Sequence, residues 1–414
     1  MSKIEKLAKG KPEPKVFRSK RYIWGLTLFM GGVALLDQYN SLVEGPLMPY
    51  ILPFYSISAQ DFAFWQGLYG IICFSVFLIA WFFDAYGRKK GILILMLVLG
   101  LGAGVIIIPL PFHMFMIVYS IVIMGTLSNS WELPVTEEAP ANKRATFGGI
   151  AFLLGLVPLY AFLAKPIAES VGWQWGYGIM FIFMLVLLIP WYYMKETQRW
   201  LDSKEEHGKE VLKIKTALKS LKRKDFQYVA ISTIVYTLWT ISFKMAASWS
   251  GYYYVTVLGW TTAAYQTILI VGALMTMVGA LLSGIFMDKL GRNGTLIIGC
   301  VGAFIGFVGL TTGIQIFFWL IYLFMPIILG WVMVYFNEIF PTRIRATANG
   351  VTNTLSRSGY VVGPLLASAL LAAFPNMIGF WIIAGILILV PMLSLLIKPY
   401  ETKGQELEAI QEKR

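Results

Sequence analysis

Four charged residues lie within apolar stretches of this sequence that are long enough to cross a bilayer. Asp37 and Glu132 are acidic, and Lys244 and Arg357 are basic. A charge at bilayer depth costs at least about 2.5 kcal/mol on insertion scales, so each needs a partner or a water-filled cavity. A carboxyl group held away from water can take up and release a proton when its surroundings change. Asp37 is therefore predicted to carry a proton. Glu132 is a second proton-coupling residue, for which gating and structural pairing stay open.

Two short motifs each occur twice, at nearly the same offset. D-x-x-G-R begins at Asp84 and Asp288, 204 residues apart, and E-x-x-P-x-x-x-R-A-T begins at Glu137 and Glu338, 201 residues apart. In the first motif, Gly permits a positive φ, Asp can cap the next helix, and Arg can reach a carboxylate on a neighbouring helix. Such a contact can hold one face shut in one state, although a purely topological role for the basic residues is the alternative. The residues predicted to act in gating are Asp84, Gly87, Arg88, Glu138, Arg144, Asp288, Gly291, Arg292, Glu338 and Arg345.

The composition places these motifs in a membrane protein. Of the 414 residues, 57% are hydrophobic and only 14% are charged, which is outside the range of ordinary soluble domains. Cys73 and Cys300 both lie in apolar runs, so neither a disulfide framework nor a metal site is expected. The Gly-rich stretches carry no phosphate-loop lysine, and no cofactor is expected.

Twelve apolar runs can be drawn along the chain, each of a length that suits a spanning helix. They lie at 22–44, 64–83, 91–110, 115–135, 146–166, 176–194, 228–256, 263–287, 295–313, 316–338, 346–372 and 377–397. The predicted domains are a tail at 1–21, a six-helix bundle at 22–194, a linker at 195–227, a second six-helix bundle at 228–397 and a tail at 398–414.

The basic residues predict the orientation of these spans. Of the 34 Lys and Arg, 31 lie in the tails, the linker and the loops on one side, which the positive-inside rule assigns to the cytoplasm. The net charge of +12 is thus a topology signal with attraction to anionic lipid, and nucleic acid is not expected as a partner. Lys165 lies near the outer end of the fifth span, where we expect it to reach the interface without a role in the site.

The segment from Gly284 to Arg292 resembles the G-x-x-x-D-x-x-G-R loop of the major facilitator superfamily, and the first copy carries Ala80 at the usual glycine. The C-terminal 399–408 is similar to the P-E-T-K-G tail of sugar porters, with Tyr400 inserted. Residues 196–201 are similar to their P-E-S-P-R-W-L segment, with both prolines missing. The resemblance implies an all-α integral membrane fold of twelve transmembrane helices in two pseudo-symmetric six-helix bundles that rock around a central site.

The resemblance does not extend to the sugar-binding amides of the seventh helix, because residues 241–248 contain none. Residues 36–40 look more like the first helix of porters for aromatic acids and organic ions, which often carries D-G-x-D. Asn40 replaces the second acid of that pattern. The solute predicted from these departures is an organic acid or a sugar-like molecule.

Asp37 and Lys244 occupy similar depths in equivalent helices of the two halves. Asp37 lies 16 residues after Arg21, and Lys244 lies 16 residues after Tyr228. At 1.5 Å per residue, each is about 24 Å from the cytoplasmic end of its helix. In the architecture that the resemblance implies, these helices face each other, so the two side chains are predicted to line one cavity and to pair when it is empty. An anionic solute that draws Lys244 away would make Asp37 easier to protonate. A static ion pair is the alternative.

The residues predicted to bind the solute combine these charges with neighbouring rings and polar groups. They are Asp37, Tyr39, Asn40, Lys244, Trp249, Tyr252, Tyr253 and Arg357.

Together these features predict a secondary active transporter in the plasma membrane, with both termini cytoplasmic, that is not an enzyme. The preferred hypothesis is proton-coupled symport of a small organic solute by alternating access. An antiporter that exports cationic drugs and a non-transporting membrane sensor are the alternatives, and Lys244 in the cavity disfavours the first of these. The expected partners are the solute, protons and membrane lipids, and the chain is expected to be a monomer.

Overall fold

The computed structural model describes residues 18–140, 143–207, 223–340, 345–396, 401 and 403. Helices account for nearly all of these residues, and no strand occurs among them. The side chains of Arg144 and Arg345, both predicted to act in gating, lie outside the part of the structure that is described. The same holds for residues 1–17, for the middle of the predicted linker and for most of the predicted C-terminal tail.

Six helices, α1 to α6, form the first half. They are α1 (Lys20–Leu42, continuing as Glu44–Tyr55), α2 (Ala59–Tyr86), α3 (Arg88–Ile106), α4 (Phe112–Glu138), α5 (Arg144–Gly155 and Leu159–Ser170) and α6 (Gln174–Tyr193). A short helix, Gln198–His207, follows α6.

Six further helices, α7 to α12, form the second half. They are α7 (Arg223–Tyr252, followed by the π-helical turn Tyr253–Val257), α8 and α9 (together Thr262–Leu310), α10 (Gln315–Ile339), α11 (Arg345–Ser356 and Gly359–Ala373) and α12 (Ile378–Leu389, followed by the 3-10 turn Val390–Leu396). Within the described residues, the structure therefore contains the twelve helices that the sequence predicts to be transmembrane.

Glycine makes the turns within the two D-x-x-G-R motifs possible. Gly87 separates α2 from α3 at φ 100° and ψ 164°, and Gly291 separates α8 from α9 at φ 80° and ψ 177°. This region of backbone space is essentially restricted to glycine, because a Cβ would meet neighbouring backbone atoms. The two glycines thus let consecutive helices pack side by side after a single-residue turn.

Ten helical segments of the described chain are long and apolar enough to cross a membrane, and one of them, Thr262–Leu310, contains both α8 and α9. The segments of α1 are not among them. The polar run of Asp37, Gln38 and Asn40 lowers the hydropathy of the first segment, and the second segment, Glu44–Tyr55, has only 12 residues. The run predicted at 22–44 was too short, because α1 resumes after Val43 and reaches Tyr55. Glu44 consequently lies within this helix and not at its end.

Among the described residues, the two halves pack most extensively along three pairs of elements. The second segment of α1 packs on α7, the start of α2 packs on the second segment of α11, and α5 packs on α8. At Gly45 the backbones come so close that a Cβ would collide with the carbonyl oxygen of Ala247. Two faces can then be distinguished: the terminal face, where α1 begins and the D-x-x-G-R turns lie, and the opposite face, where α5 ends and α8 begins.

Candidate functional site between the two halves

A small cavity of about 30 Å³ lies where the two halves meet. Helices α2 and α4 line it from the first half, and α7 and α11 line it from the second. This is room for only a few water molecules. Its polar lining comprises Gln66, Tyr119, Ser120, Lys244, Ser248 and Tyr360, and its largest apolar side chain is Trp249.

Lys244 reaches from α7 towards α1 at this cavity. Its Nζ donates a hydrogen bond to the carbonyl oxygen of Ser41 at 3.1 Å and lies 3.6 Å from Oε2 of Glu44. It also lies over the ring of Tyr360, 5.9 Å from the centroid. The predicted pairing of Lys244 with Asp37 is therefore wrong for this state, because Glu44 is the carboxylate that Lys244 meets.

Glu44 is almost completely buried, with 1% of its surface exposed. Gln66 donates to its Oε1, and the hydroxyl of Ser248 donates to its Oε2 at 2.8 Å. The Nε2 of Gln66 also lies 3.0 Å from the hydroxyl oxygen of Tyr119. Side chains of α2 and α7 thus hold a carboxylate of α1 between the halves, and Tyr119 of α4 contacts the Gln66 side chain that bonds to it.

Asp37 lies in a second buried cluster, apart from the cavity lining. Its side chain is fully buried, and Gln38 donates to Oδ1 at 3.2 Å. Arg357 and Glu132 are its charged neighbours, while Oδ2 has no hydrogen-bond partner among the described atoms. Asp37 and Glu132, the two predicted proton-coupling residues, are therefore neighbours, and the cation beside Asp37 is Arg357 and not Lys244.

Arg357 connects the halves where two helices are interrupted. It lies in the turn between the two segments of α11, and its Nη2 donates to the carbonyl oxygen of Leu127 at 2.6 Å. That carbonyl precedes a break in α4, where Asn129 has φ 48°. Its guanidinium also lies 5.7 Å from the ring centroid of Tyr236. A broken helix at membrane depth exposes carbonyl groups that a cation can use.

Several residues predicted to bind the solute instead make contacts within their own half. Tyr39 donates to the carbonyl oxygen of Gly176 at 2.8 Å, and Tyr253 donates to that of Leu310 at 2.9 Å. Asn40 donates to the carbonyl oxygen of Leu36, one turn earlier in α1. Tyr252 packs edge-on against Trp249. Of the eight predicted residues, Lys244 and Trp249 line the cavity.

The D-x-x-G-R turns contact carboxylates within each half. In the first half, Arg88 pairs with Asp84 and Glu137, each at 2.8 Å. Glu138, which is also predicted to act in gating, pairs with Arg18 at 2.9 Å. In the second half, Arg292 pairs with Glu338 at 2.5 Å. Asp288 is a further charged neighbour of Arg292.

Glutamates from the ends of the two halves cap the helices that follow these turns. The carboxylate of Glu196 accepts from the backbone N–H of Arg88 at 2.7 Å, and that of Glu401 accepts from Arg292 at 2.9 Å. The sequence predicted this capping for the aspartates of the motif. Asp84 instead pairs with the side chain of Arg88, since the extended turn at glycine brings the more distant glutamate to the free N–H groups.

The contact between halves at the opposite face centres on Glu169. This carboxylate accepts from the hydroxyl of Tyr50 at 3.0 Å and from the hydroxyl of Thr262 at 3.1 Å, and it pairs with Lys165 at 2.8 Å. The expectation that Lys165 only reaches the interface is therefore too simple. Nearby, Gln266 of α8 donates to the carbonyl oxygen of Phe162 at 3.0 Å. These bonds join α5 to α8 and close this face.

The chain matches the family model of the Major Facilitator Superfamily over residues 145–356, just over half of its length. It is 25% identical to the putative metabolite transport protein YwtG of Bacillus subtilis (strain 168), over 80% of this chain and 81% of that protein. It is 24% identical to the glucose transporter GlcP of Staphylococcus epidermidis, over 71% of this chain and 74% of that protein.

Among solved structures, the inward open conformation of the xylose transporter XylE from E. coli superposes with a TM-score of 0.71 at 19% identity, covering 94% of this chain and 99% of that chain. This likeness concerns the twelve-helix fold, which agrees with the arrangement described above. The transporter relatives likewise indicate a small-molecule solute and no enzymatic activity. The chain therefore belongs to the Major Facilitator Superfamily, near its sugar-porter branches, and is a multi-pass membrane transport protein.

Proposed function

We propose that this protein carries out proton-coupled symport of a small organic solute, either an organic acid or a sugar-like molecule, by alternating access. The observation that carries the proposal is the central cavity, which both halves line and beside which Lys244 of one half pairs with Glu44 of the other. A solute bound there contacts both halves, so its binding energy can favour one relative position of the halves over another.

The orientation follows from the placement of the basic residues. With 31 of 34 Lys and Arg on the terminal side, both termini are proposed to be cytoplasmic in a plasma membrane whose anionic lipids contact these residues. The Glu169 contacts then close the outer face, and the state described here is an outward-closed one. We propose that the working unit is a monomer, since each chain contains both halves of the site.

The cluster of Asp37, Glu132 and Arg357 supports the coupling step. Glu132 is exposed, whereas Asp37 is fully buried beside an arginine that belongs to the other half. Protonation of Asp37 removes its attraction for Arg357 and so alters a contact between the halves. Glu132 is proposed to pass the proton between water and Asp37. Loading of the proton would thereby change the balance between the two positions of the halves.

The first experiment identifies a class of solute. The unfolding temperature of the purified full-length protein is measured with sugars, monocarboxylates, aromatic acids and amines at two pH values. A compound that binds the folded state raises this temperature. We expect acids or sugars to do so, and stabilisation only by cationic compounds would favour export of cationic drugs instead.

The second experiment tests coupling with the stabilising compound in proteoliposomes. A gradient of one pH unit supports up to about tenfold accumulation if one proton accompanies each solute. Asp37→Asn is expected to abolish this accumulation but to retain exchange of labelled for unlabelled solute, which needs no net proton movement. Asp61→Asn serves as the control, since Asp61 is an exposed carboxylate that contacts Ser58 of its own helix cap. Undiminished accumulation by Asp37→Asn would refute the role of Asp37.

A further inference from the structure

We propose that Lys244 forms an anion-binding site, which Glu44 occupies when no solute is bound. The solute is a small organic anion whose acidic group displaces Glu44 from Lys244. The inference rests on the proposed transport function and names the charge of its solute. It concerns Glu44 and Lys244 only, and the coupling at Asp37 does not depend on it.

Lys244 is held in a way that leaves it able to bind a second anion. An ammonium group has three N–H donors. One is used on the carbonyl oxygen of Ser41, whereas the distance from Nζ to Oε2 of Glu44, 3.6 Å, is that of an ion pair without a good hydrogen bond. Lys244 also lines the cavity, so its remaining donors face the space between the two halves.

Glu44 is held mainly by other groups. Gln66 and Ser248 each donate to one of its oxygens, and neither bond involves Lys244. Ser248 follows Lys244 by four residues on α7, which places both side chains on the same face of that helix. If Lys244 turns towards a solute, Glu44 keeps two hydrogen bonds. Displacement therefore does not leave a bare carboxylate among apolar side chains, which would be very costly.

The charge of this site favours an anion over a neutral molecule. A neutral solute has to bind beside an intact ion pair, and its hydroxyl groups compete with groups that are already satisfied. A carboxylate instead gains a direct charge-assisted hydrogen bond, which is stronger than a neutral one. The hydroxyl groups of Ser120 and Tyr360 belong to residues that also line the cavity and offer polar contacts for the rest of the molecule. Glu44 competes with the anion for Lys244, which weakens binding of the anion and so allows its release.

The test compares matched pairs of probes that differ in charge. Binding of benzoate and benzamide, of gluconate and glucose, and of muconate and its dimethyl ester is measured on the purified full-length protein by thermal shift and calorimetry. The expected result is that only the anion of a pair binds. Glu44→Gln retains a side chain that can bond to Ser248 and frees Lys244, so we expect the affinity for the anion to rise about tenfold. Asp202→Asn, an exposed carboxylate on the short helix after α6, is expected to leave affinity unchanged.

A double variant allows the proposal to be tested even if the single variant Glu44→Gln does not fold. Glu44→Gln with Lys244→Met removes both charges, so it buries no unpaired ion, and we expect it to lose the preference for the anion within each pair. An unchanged affinity for the anion in Glu44→Gln, or a retained preference in the double variant, would overturn the proposal.

The outcome is also distinguishable from failure of the proposed function. If a neutral sugar accumulates under a pH gradient in an Asp37-dependent way and Glu44→Gln has no effect, the anion site is refuted and transport stands. If Glu44→Gln tightens anion binding but no solute accumulates under any gradient, the anion site stands and proton-coupled transport is refuted.

Discussion

At the scale of single residues, the two cysteines provide a native probe of the cavity. Cys73 lines it, whereas Cys300 is buried in α9 and does not. In a Cys300→Ser background, we expect a membrane-permeant maleimide to modify Cys73 slowly, because its thiol is 1% exposed, and several-fold more slowly still when a solute fills the cavity. Mass spectrometry of the intact protein follows the reaction.

The matched measurement uses Cys300 in a Cys73→Ser background. Its modification is expected to be insensitive to the same solute, since packing in α9 and not the cavity limits access to it. Equal protection of both cysteines would mean that the solute stabilises the whole fold without occupying the proposed site.

The carboxylate that pairs with Lys244 could not be predicted from the sequence. The cost of burying a charge correctly identified Lys244 as a residue of the site. Position along a helix, however, gives only the depth of a side chain in the membrane and not the neighbour that it meets. Asp37 and Glu44 lie seven residues apart on the same helix, about two turns, and so face nearly the same direction. Which of them meets Lys244 depends on how the halves dock. Glu44 was missed because the first run was drawn to end at that residue.

At the scale of helices, the turns at Gly87 and Gly291 make a prediction about stability. Gly87→Ala places a Cβ in a conformation that costs about 1–3 kcal/mol, and the new atom would also meet the carboxylate of Glu196. We expect a clearly lowered unfolding temperature, followed by tryptophan fluorescence. Gly25→Ala is the control, because Gly25 lies within α1 with open space at its Cβ position. Equal stability of Gly87→Ala and Gly25→Ala would contradict this account.

The same turns explain why the repeated D-x-x-G-R motif could be interpreted from the sequence, whereas the carboxylates that contact it could not. D-x-x-G-R is local, so its glycine and its arginine can be interpreted from spacing alone. The carboxylates that complete it, Glu196 and Glu401, follow the last helix of each half, more than 100 residues away along the chain. They come close because each half folds into a bundle, and no local pattern contains that information.

At the scale of the whole molecule, the contacts of Glu169 define which face is closed. Glu169→Gln removes the charge that pairs with Lys165 and weakens the bonds from Tyr50 and Thr262. We expect the population to shift towards states that are open at the opposite face. Spin labels at Ser170 and Thr312, in a background without native cysteines, report the separation of the halves there by pulsed electron resonance.

Asp61→Asn is the comparison for this measurement, since it removes an exposed carboxylate near the same face that bonds to Ser58 of its own helix. It is expected to leave the distance distribution unchanged. A distribution in Glu169→Gln that matches that of Asp61→Asn would show that apolar packing between the halves, and not this carboxylate, keeps the face closed.

The ion pair between Glu44 and Lys244 also has an electrical consequence. The two side chains together carry no net charge, so the empty site can change its access from one side of the bilayer to the other without moving charge. A bound monoanion adds one negative charge, and moving it across a potential of 100 mV involves about 2.3 kcal/mol. A proton that travels with the anion cancels this term. The membrane potential therefore acts on the loaded carrier only when the anion and the proton do not travel together.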